Sequence, residues 1–169
     1  MDVKRKKVVC NSSPIINLSK INSLYLLEKL YGQVFIPVAV YNELVVEGIN
    51  KKGAKEIKSL VEKNVIIIKK VNNISFVKAL NKDLDLGESE VIALALQINA
   101  ELIIVDELDA RKFAELYELK KTGFIGILIK AKNEGYLSSV KEYIDRAIEE
   151  GFWLNEKLYV NIMKLLDEV

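Results

Sequence analysis

The sequence contains no histidine, a single cysteine (Cys10) and only two prolines. The absence of histidine excludes Ser-His-Asp and Cys-His catalysis, zinc sites with histidine ligands and histidine general bases. One cysteine excludes an internal disulfide, and its place in the apolar run Val8-Val9-Cys10 predicts a buried thiol in a protein of a reducing compartment. Catalysis by this chain would therefore depend on carboxylates, hydroxyls, lysine or a metal ion.

Neither sign of charge is in excess, since 25 basic and 24 acidic residues give a net charge of +1. A strongly basic field of the kind that attracts nucleic acids is therefore not expected, although local basic patches remain compatible with this composition. No apolar run approaches the roughly 20 residues that cross a bilayer, and the N-terminus lacks the apolar segment of a signal peptide. We expect a cytoplasmic protein with no membrane partner.

Short apolar runs alternate with amphipathic segments along the chain, which at 169 residues is long enough for one core. The runs predict strands at 7–10, 34–36, 65–68 and 102–105, and the run at 65–68 is expected to be covered on both faces. Apolar spacings of three and four predict helices near 15–18, 24–31, 38–48, 52–63, 76–80, 87–99, 108–116, 121–135, 139–150 and 158–166. Strands that alternate with helices indicate a parallel sheet. We predict one domain over 1–169, a three-layer αβα sandwich with four or five short, mainly parallel strands.

Acidic side chains occur where the predicted strands end or the helices begin. They are Glu43, Glu88, Asp106 and Asp109, and Asn11 follows the first strand. If the sheet is parallel, Asn11 and Asp106 leave its C-terminal edge, where open α/β sheets place their chemistry. Carboxylates gathered there would repel one another unless a cation neutralised them, and oxygen ligands suit Mg²⁺ or Mn²⁺.

Each acid also has a structural interpretation. Glu43 and Glu88 are compatible with surface or helix-cap positions, and Asp106 or Asp109 with the N-cap of the next helix. Two neighbouring acids, Glu90 and Glu107, are expected to be solvated.

Four segments in order resemble the motifs of PIN-domain proteins. They are Val8-Val9-Cys10-Asn11-Ser12-Ser13-Pro14-Ile15-Ile16, Ile36-Pro37-Val38-Ala39-Val40-Tyr41-Asn42-Glu43-Leu44, Gly87-Glu88-Ser89-Glu90-Val91-Ile92-Ala93-Leu94-Ala95 and Ile104-Val105-Asp106-Glu107. One branch of this family has a helix that begins Gly-Glu, as at Gly87-Glu88, and a later segment similar to Thr122-Gly123-Phe124-Ile125-Gly126-Ile127-Leu128. The resemblance covers about residues 7–135, and the helices of 136–169 are expected to pack on that part or to form an interface.

The resemblance implies a metal-dependent ribonuclease, of which many relatives are VapC-type toxins held by an antitoxin. By the same resemblance Asn11, Glu43, Glu88 and Asp106 correspond to the metal ligands or to residues that place the attacking water. Asp109 would be an accessory acid, and Ser12 or Thr122 would bond a phosphate or a water near the metal. The implied partners are RNA, an antitoxin and a second copy of the chain in a homodimer.

Asn11 departs from the family pattern, which begins with an aspartate. An amide keeps the carbonyl oxygen of that aspartate and loses its charge, so the affinity for a metal ion should fall. A natural variant with weakened activity and an aspartate replaced to protect an expression host both explain the asparagine. A pseudo-nuclease that binds RNA or a protein without catalysis is the alternative function. An aspartyl-phosphate mechanism is disfavoured because the first strand ends in Asn-Ser-Ser.

Overall fold

The computed structural model describes residues 5–48 and 51–169 of the chain. Five short strands form one parallel sheet in the order β3-β2-β1-β4-β5. The strands are β1 (Val8–Cys10), β2 (Val34–Pro37), β3 (Ile66–Lys69), β4 (Leu102–Ile104) and β5 (Lys121–Thr122). The predicted α/β class and parallel sheet are confirmed. The helix predicted from residue 121 is wrong at its start, because a two-residue strand is too short to produce a periodic signal.

The strand order reverses between β1 and β4. The chain runs outward from β1 through β2 to β3, and then returns to the other side of β1 to form β4 and β5. β1 and β4 pair directly, with Cys10 opposite Ile104. In open parallel sheets such a reversal leaves a crevice beyond the C-terminal ends of the two central strands. The reversal of strand order therefore lies next to Asn11 and Asp106.

Helices cover both faces of the sheet. They are α1 (Ser12–Lys20), α2 (Tyr25–Tyr31), α3 (Val38–Asn42), α4 (Lys51–Glu62), α5 (Ile74–Leu80), α6 (Leu86–Gln97), α7 (Leu108–Leu116), α8 (Phe124–Asn133), α9 (Val140–Glu149) and α10 (Glu156–Leu165). A π-helical segment, Glu43–Gly48, continues α3. α6 contacts β1, β2 and β4 together with α3, α5 and α7, while α8 contacts α1, α2 and α9. These contacts agree with the predicted three-layer sandwich.

The core is centred on β1 and on α6. All three residues of β1 are buried, including the free thiol of Cys10, as predicted. α6 carries small and branched side chains, and its buried face lets it lie close to the central strands. The prediction that the run at 65–68 is covered on both faces is wrong, because β3 is an edge strand and Ile67 and Ile68 are half-buried.

The C-terminal helices begin at side-chain caps. Ser139 accepts a hydrogen bond from Glu142 N at 3.3 Å at the start of α9. Asn155 accepts from Lys157 N at 2.8 Å at the start of α10. Across the described residues, no helix has both the length and the apolar character that crossing a membrane requires. Residues 1–4 and 49–50 of the predicted domain lie outside the described ranges.

Candidate metal and active site

Asn11 and Asp106 lie at the ends of the two central strands. Asn11 N donates to Ile104 O at 2.9 Å, which extends the pairing of β1 with β4 by one residue. Val105 N donates to Thr122 O at 2.9 Å, so Asp106 follows the last residue that pairs with β5. Both side chains therefore start at the strand-order reversal, as predicted from the strand ends.

Of the two polar atoms of the Asn11 side chain, Nδ2 is hydrogen-bonded and Oδ1 is not, among the described residues. Its Nδ2 donates to Glu107 Oε2 at 3.2 Å, and the residue is 3% exposed. Its Oδ1 is buried and has no hydrogen-bond partner within residues 5–48 and 51–169. Asn11 is the N-cap residue of α1, yet its side chain makes no capping bond. A buried acceptor without a partner is costly, and it is an oxygen of the type that hard cations bind.

Glu107 is a member of the site that sequence reasoning missed. Besides the bond from Asn11, its Oε1 accepts a short hydrogen bond from Ser13 Oγ. The prediction of a solvated side chain is therefore wrong. The usable signal was its position, because a residue directly after Asp106 leaves the same strand end and the β1–α1 turn is adjacent across the sheet.

Asp106 is tied to the start of α8 and not to the start of its own helix. Its Oδ1 accepts from Phe124 N at 2.8 Å, while its Oδ2 is buried and unbonded in the described part of the chain. The interpretation of Asp106 as the N-cap of α7 is wrong, since Glu107 has that position. Burial raises the pKa of the Asp106 carboxyl, and the bond from Phe124 opposes the rise. Glu107 raises this pKa further.

Arg111 is a second residue that the sequence analysis missed. Its Nη1 donates to Val105 O at 2.9 Å, and its positive charge acts to lower the pKa of Asp106. Arg111 follows Glu107 by four residues on α7, so the spacing alone places both on the same face of the helix. The absence of a side chain at Gly123 makes room for this arrangement, because a Cβ there would overlap Asp106 Oδ1 and lie 3.1 Å from Arg111 Nη1.

Glu43 is the first residue of the π-helical segment. Single π turns inside helices occur frequently at functional sites. Ser12 Oγ donates to Glu43 Oε2 at 2.6 Å, and a Cβ at Gly87 would overlap Glu43 Oε1. Burial raises the pKa of Glu43, the bond from Ser12 opposes this, and the charges of Asp85, Glu47 and Glu107 raise it further.

Glu88 belongs to a capping box at the start of α6. Asp85 Oδ1 accepts from Glu88 N at 2.7 Å, and Glu88 Oε2 accepts from Asp85 N at 3.0 Å. The interpretation of Glu88 as a cap residue is therefore confirmed, although the residue is only 9% exposed. Burial raises the pKa of Glu88 above its usual range, against the bond from Asp85 N.

Glu90 takes no part in this group. It accepts from Ala39 N at 3.2 Å near the start of α3, so the prediction of a solvated side chain is wrong for it as well.

Two predicted site residues lie apart from these contacts. Asp109 is exposed in the first turn of α7, with a side-chain exposure of 69%, and its carboxylate is 3.8 Å from Lys112 Nζ. Thr122 packs against Gly126 and lines a cleft of about 840 Å³ together with Tyr31 and Lys130. Their predicted roles as accessory acid and phosphate ligand stay predictions.

Several helices begin at this edge of the sheet. α1, α7 and α8 each start within a few residues of a strand end, and α6 starts at the Asp85 and Glu88 box. Helix N-termini carry partial positive charge, which offsets part of the repulsion between the carboxylates. The helix N-termini therefore lower the electrostatic cost of placing several carboxylates at this edge of the sheet.

The side-chain oxygens at this edge of the sheet are of the type that binds a hard divalent cation, but they do not converge on one point as the ligands of a bound ion do. Asn11 Oδ1 and Asp106 Oδ2 are buried acceptors without partners, and Glu43 and Glu88 add carboxylates nearby along α3 and α6. Over the described ranges, no three acidic side chains are placed closely enough to hold a metal ion together. Ser12 Oγ, Asp85 N and Phe124 N each donate to one carboxylate oxygen, of Glu43, Glu88 and Asp106 respectively.

Comparison with known proteins identifies the fold. The sequence model of a family described as a PIN domain matches residues 7–168. A comparison with curated proteins gives no match. PIN domains are generally nucleases and generally use divalent metals, which agrees with a nuclease-type fold and with oxygen ligands at the strand ends. The match extends beyond the predicted 7–135 into the C-terminal helices, and the chain belongs to the PIN-domain family.

Proposed function

We propose that this chain is a ribonuclease that hydrolyses RNA phosphodiesters with a bound Mg²⁺ or Mn²⁺. The observation that carries the proposal is the pair of buried oxygens without partners, Asn11 Oδ1 and Asp106 Oδ2, at the reversal of strand order. Buried acceptors are nearly always bonded in folded proteins, so two of them at one edge indicate a missing ligand. A cation that binds oxygen would satisfy both atoms.

Asn11, Asp106, Glu43 and Glu88 are the residues that would hold the ion. A bound divalent cation lowers the pKa of its water and polarises a phosphoryl oxygen. Ser12 fixes the carboxylate of Glu43 by donating to Oε2. That bond occupies Oε2 and leaves Oε1 of Glu43 to contact the ion or the attacking water.

RNA cleavage by chelator-treated protein, with and without added Mn²⁺, tests the proposal. Wild type should cleave a fluorescent RNA only with Mn²⁺, and Asn11→Asp should match or exceed its rate, because a carboxylate adds charge to the ion's surroundings. Glu115→Gln is the matched control, since it removes one acid from the exposed last turn of α7. Absence of Mn²⁺-dependent cleavage in both wild type and Asn11→Asp would refute the nuclease.

The bond between Asn11 Nδ2 and Glu107 favours a second candidate, a pseudo-nuclease that binds RNA or a protein partner without cleaving RNA. In a pseudo-nuclease, the Asn11 amide would have a structural role and would stand in place of a metal-binding aspartate. Titration calorimetry separates the two functions. RNA affinity that is unchanged by Mn²⁺, together with no heat from Mn²⁺ alone, would favour the pseudo-nuclease.

We further propose that the chain is the toxin of a toxin–antitoxin pair and acts in the cytoplasm as a homodimer. Support comes from exposed apolar side chains near the C-terminus: Trp153 (81%), Leu158 (49%), Val160 (41%) and Leu165 (81%). Burial of these side chains against a second copy would remove apolar surface from water. Light scattering should give twice the chain mass for wild type and the monomer mass for Trp153→Ala combined with Leu165→Ala. A wild-type monomer would contradict the homodimer.

A further inference from the structure

The orientation of the Asn11 amide decides what the strand end presents. An asparagine side chain has a donor, Nδ2, and an acceptor, Oδ1, which are related by a half turn of the amide. One orientation presents an oxygen to a cation, and the other presents a donor that repels it. β1 ends at Cys10, and the hydrogen bond from Asn11 N to Ile104 O fixes the backbone from which the side chain starts.

The carboxylate of Glu107 determines the orientation of the Asn11 amide. An ionised carboxylate accepts hydrogen bonds and donates none, so Asn11 can bond to it only through Nδ2. Ser13 Oγ donates to the other oxygen of Glu107, which holds the carboxylate against the β1–α1 turn. With Nδ2 facing Glu107, Oδ1 faces away from it and is left buried without a partner in the described residues.

The arrangement also gives up local stability. Asparagine is among the best N-cap residues, and a capping side chain stabilises a helix by about 1 kcal/mol. Asn11 is the N-cap of α1 and makes no capping bond, whereas Asp85, Asn73, Ser139 and Asn155 at the starts of other helices all do. The Asn11 side chain is therefore directed across the sheet to Glu107 and not along its own helix.

We propose that Glu107 is a positioning residue that turns the Asn11 amide so that its oxygen is available to a cation, and that Glu107 carries the negative charge that position 11 lacks. This inference rests on the proposed metal-dependent function. The two residues form a pair in which the amide supplies the ligand oxygen and the neighbouring carboxylate supplies the charge. The asparagine is then a working part of the site.

Exchanging the two groups tests the pair. Asn11→Asp places a second carboxylate against Glu107, while Asn11→Asp with Glu107→Gln restores one amide and one carboxylate in the opposite order. Glu107→Gln alone keeps the size of the side chain but adds a donor, so Asn11 is free to turn its oxygen back toward residue 107. Glu115→Gln is the control for loss of one charge from α7.

Two readouts are measured on each variant: the dissociation constant of Mn²⁺ by calorimetry, and the melting temperature of the metal-free protein. Glu107→Gln should weaken Mn²⁺ binding about tenfold, which is the usual scale for residues that orient a metal ligand. Glu115→Gln should change it less than about twofold. The double variant should bind Mn²⁺ at least as tightly as wild type, because the carboxylate is then at position 11 itself.

In the metal-free protein, Asn11→Asp should lower the melting temperature by at least about 3 °C in the Glu107 background, since two carboxylates then face each other. In the Glu107→Gln background the same substitution should leave the melting temperature within about 1 °C or raise it. Equal effects of Asn11→Asp in both backgrounds, or equal losses of Mn²⁺ affinity in Glu107→Gln and Glu115→Gln, would overturn the proposal. If Glu107→Gln does not fold, recovery of the fold in the double variant supports the pair and continued failure overturns it.

The readouts also separate this inference from the proposed function. Mn²⁺ binding with the expected order of affinities but no RNA cleavage would refute the nuclease and leave the pair intact. RNA cleavage with Mn²⁺ that is insensitive to Glu107→Gln would support the nuclease and refute the pair.

Discussion

Two halves of the candidate site are built in different ways. The strand-end pair, Asn11 and Asp106, leaves adjacent strands, and each member has one bonded atom and one buried oxygen without a partner in the described residues. The helix-borne pair, Glu43 and Glu88, begins a π-helical segment and a helix, and each carboxylate accepts a hydrogen bond from a nearby residue.

The difference indicates which half has buried oxygens available to a cation. The strand-end oxygens Asn11 Oδ1 and Asp106 Oδ2 are both buried and have no hydrogen-bond partner among the described residues. In the helix-borne pair, Ser12 Oγ and Asp85 N already donate to one oxygen of Glu43 and of Glu88, so a cation would compete with a hydrogen bond for that oxygen. We therefore expect substitutions in the strand-end pair to affect metal binding most.

The largest effect is expected for Asp106→Asn. This variant keeps the size of the side chain and an acceptor for Phe124 N, but it removes the negative charge next to Oδ2. Mn²⁺ affinity and RNA cleavage should each fall by at least about 100-fold, because residues that merely support a metal ligand already cost about 10–100-fold. Calorimetry and cleavage assays measure the two losses. Glu88→Gln in the helix-borne pair should cost less, and an equal loss would remove the distinction between the two halves.

The second-largest effect is expected at Gly123, which lies beside Asp106 of the strand-end pair, in comparison with Gly87, which lies beside Glu43 of the helix-borne pair. A methyl group at Gly123 would overlap Asp106 Oδ1 and lie 3.3 Å from Val105 O, a backbone atom that cannot move easily. The three atoms nearest to a methyl group at Gly87 all belong to the carboxylate of Glu43, which is the movable end of a side chain. Gly123→Ala should therefore lower the free energy of unfolding by about 1–3 kcal/mol.

Gly87→Ala is the matched comparison, because it lies in α6, where alanine is favoured over glycine by about 1 kcal/mol. Its free energy of unfolding should remain within about 1 kcal/mol of wild type while Mn²⁺ affinity falls, since Glu43 is displaced. Urea denaturation measures the first quantity and calorimetry the second. A loss of stability as large as that of Gly123→Ala would contradict this interpretation.

Much of the fold was predictable because buried parallel strands appear in the sequence as short runs of apolar residues. Four of the five strands follow from such runs, and the alternation with helices predicts their parallel direction. The strand order was not predictable, since nothing in the run 102–105 states that β4 pairs with β1 on the side opposite β2. The strand Lys121–Thr122 was missed for a related reason: only its pairing with β4 defines it.

The candidate site was predictable in part for the same reason. Asn11 and Asp106 could be placed because strand ends are visible in the sequence. The positions of Glu107 and Arg111 were also visible, since Glu107 follows Asp106 and Arg111 comes four residues later. Their hydrogen-bond partners were not, because these are Ser13 Oγ on the neighbouring strand-end turn for Glu107 and the backbone atom Val105 O for Arg111. Asp85 was missed as well, although its spacing of three from Glu88 is that of a capping box.

The smallest of the three expected effects concerns pH. Burial raises the pKa of Asp106, Glu43 and Glu88 above their ordinary values of 3.8 for aspartate and 4.5 for glutamate. The native metal-free protein therefore holds these protons more tightly than the unfolded chain does. The contribution of these three carboxyls to stability should be fully present below the ordinary values and should be lost as pH rises through their raised pKa values, where the native carboxyls also ionise.

Other carboxyls act in the opposite direction, since hydrogen bonds and ion pairs lower the pKa of Asp145 and of Glu168. The difference between wild type and Asp106→Asn isolates the strand-end carboxyl. On going from pH 4 to pH 8, metal-free wild type should lose stability relative to Asp106→Asn, as measured by urea denaturation. Saturating Mn²⁺ should reverse the difference at pH 8, because a ligand that binds only the native state stabilises it. An Asp106→Asn variant with the same pH dependence as wild type would show that this carboxyl is not held at an unfavourable charge by burial.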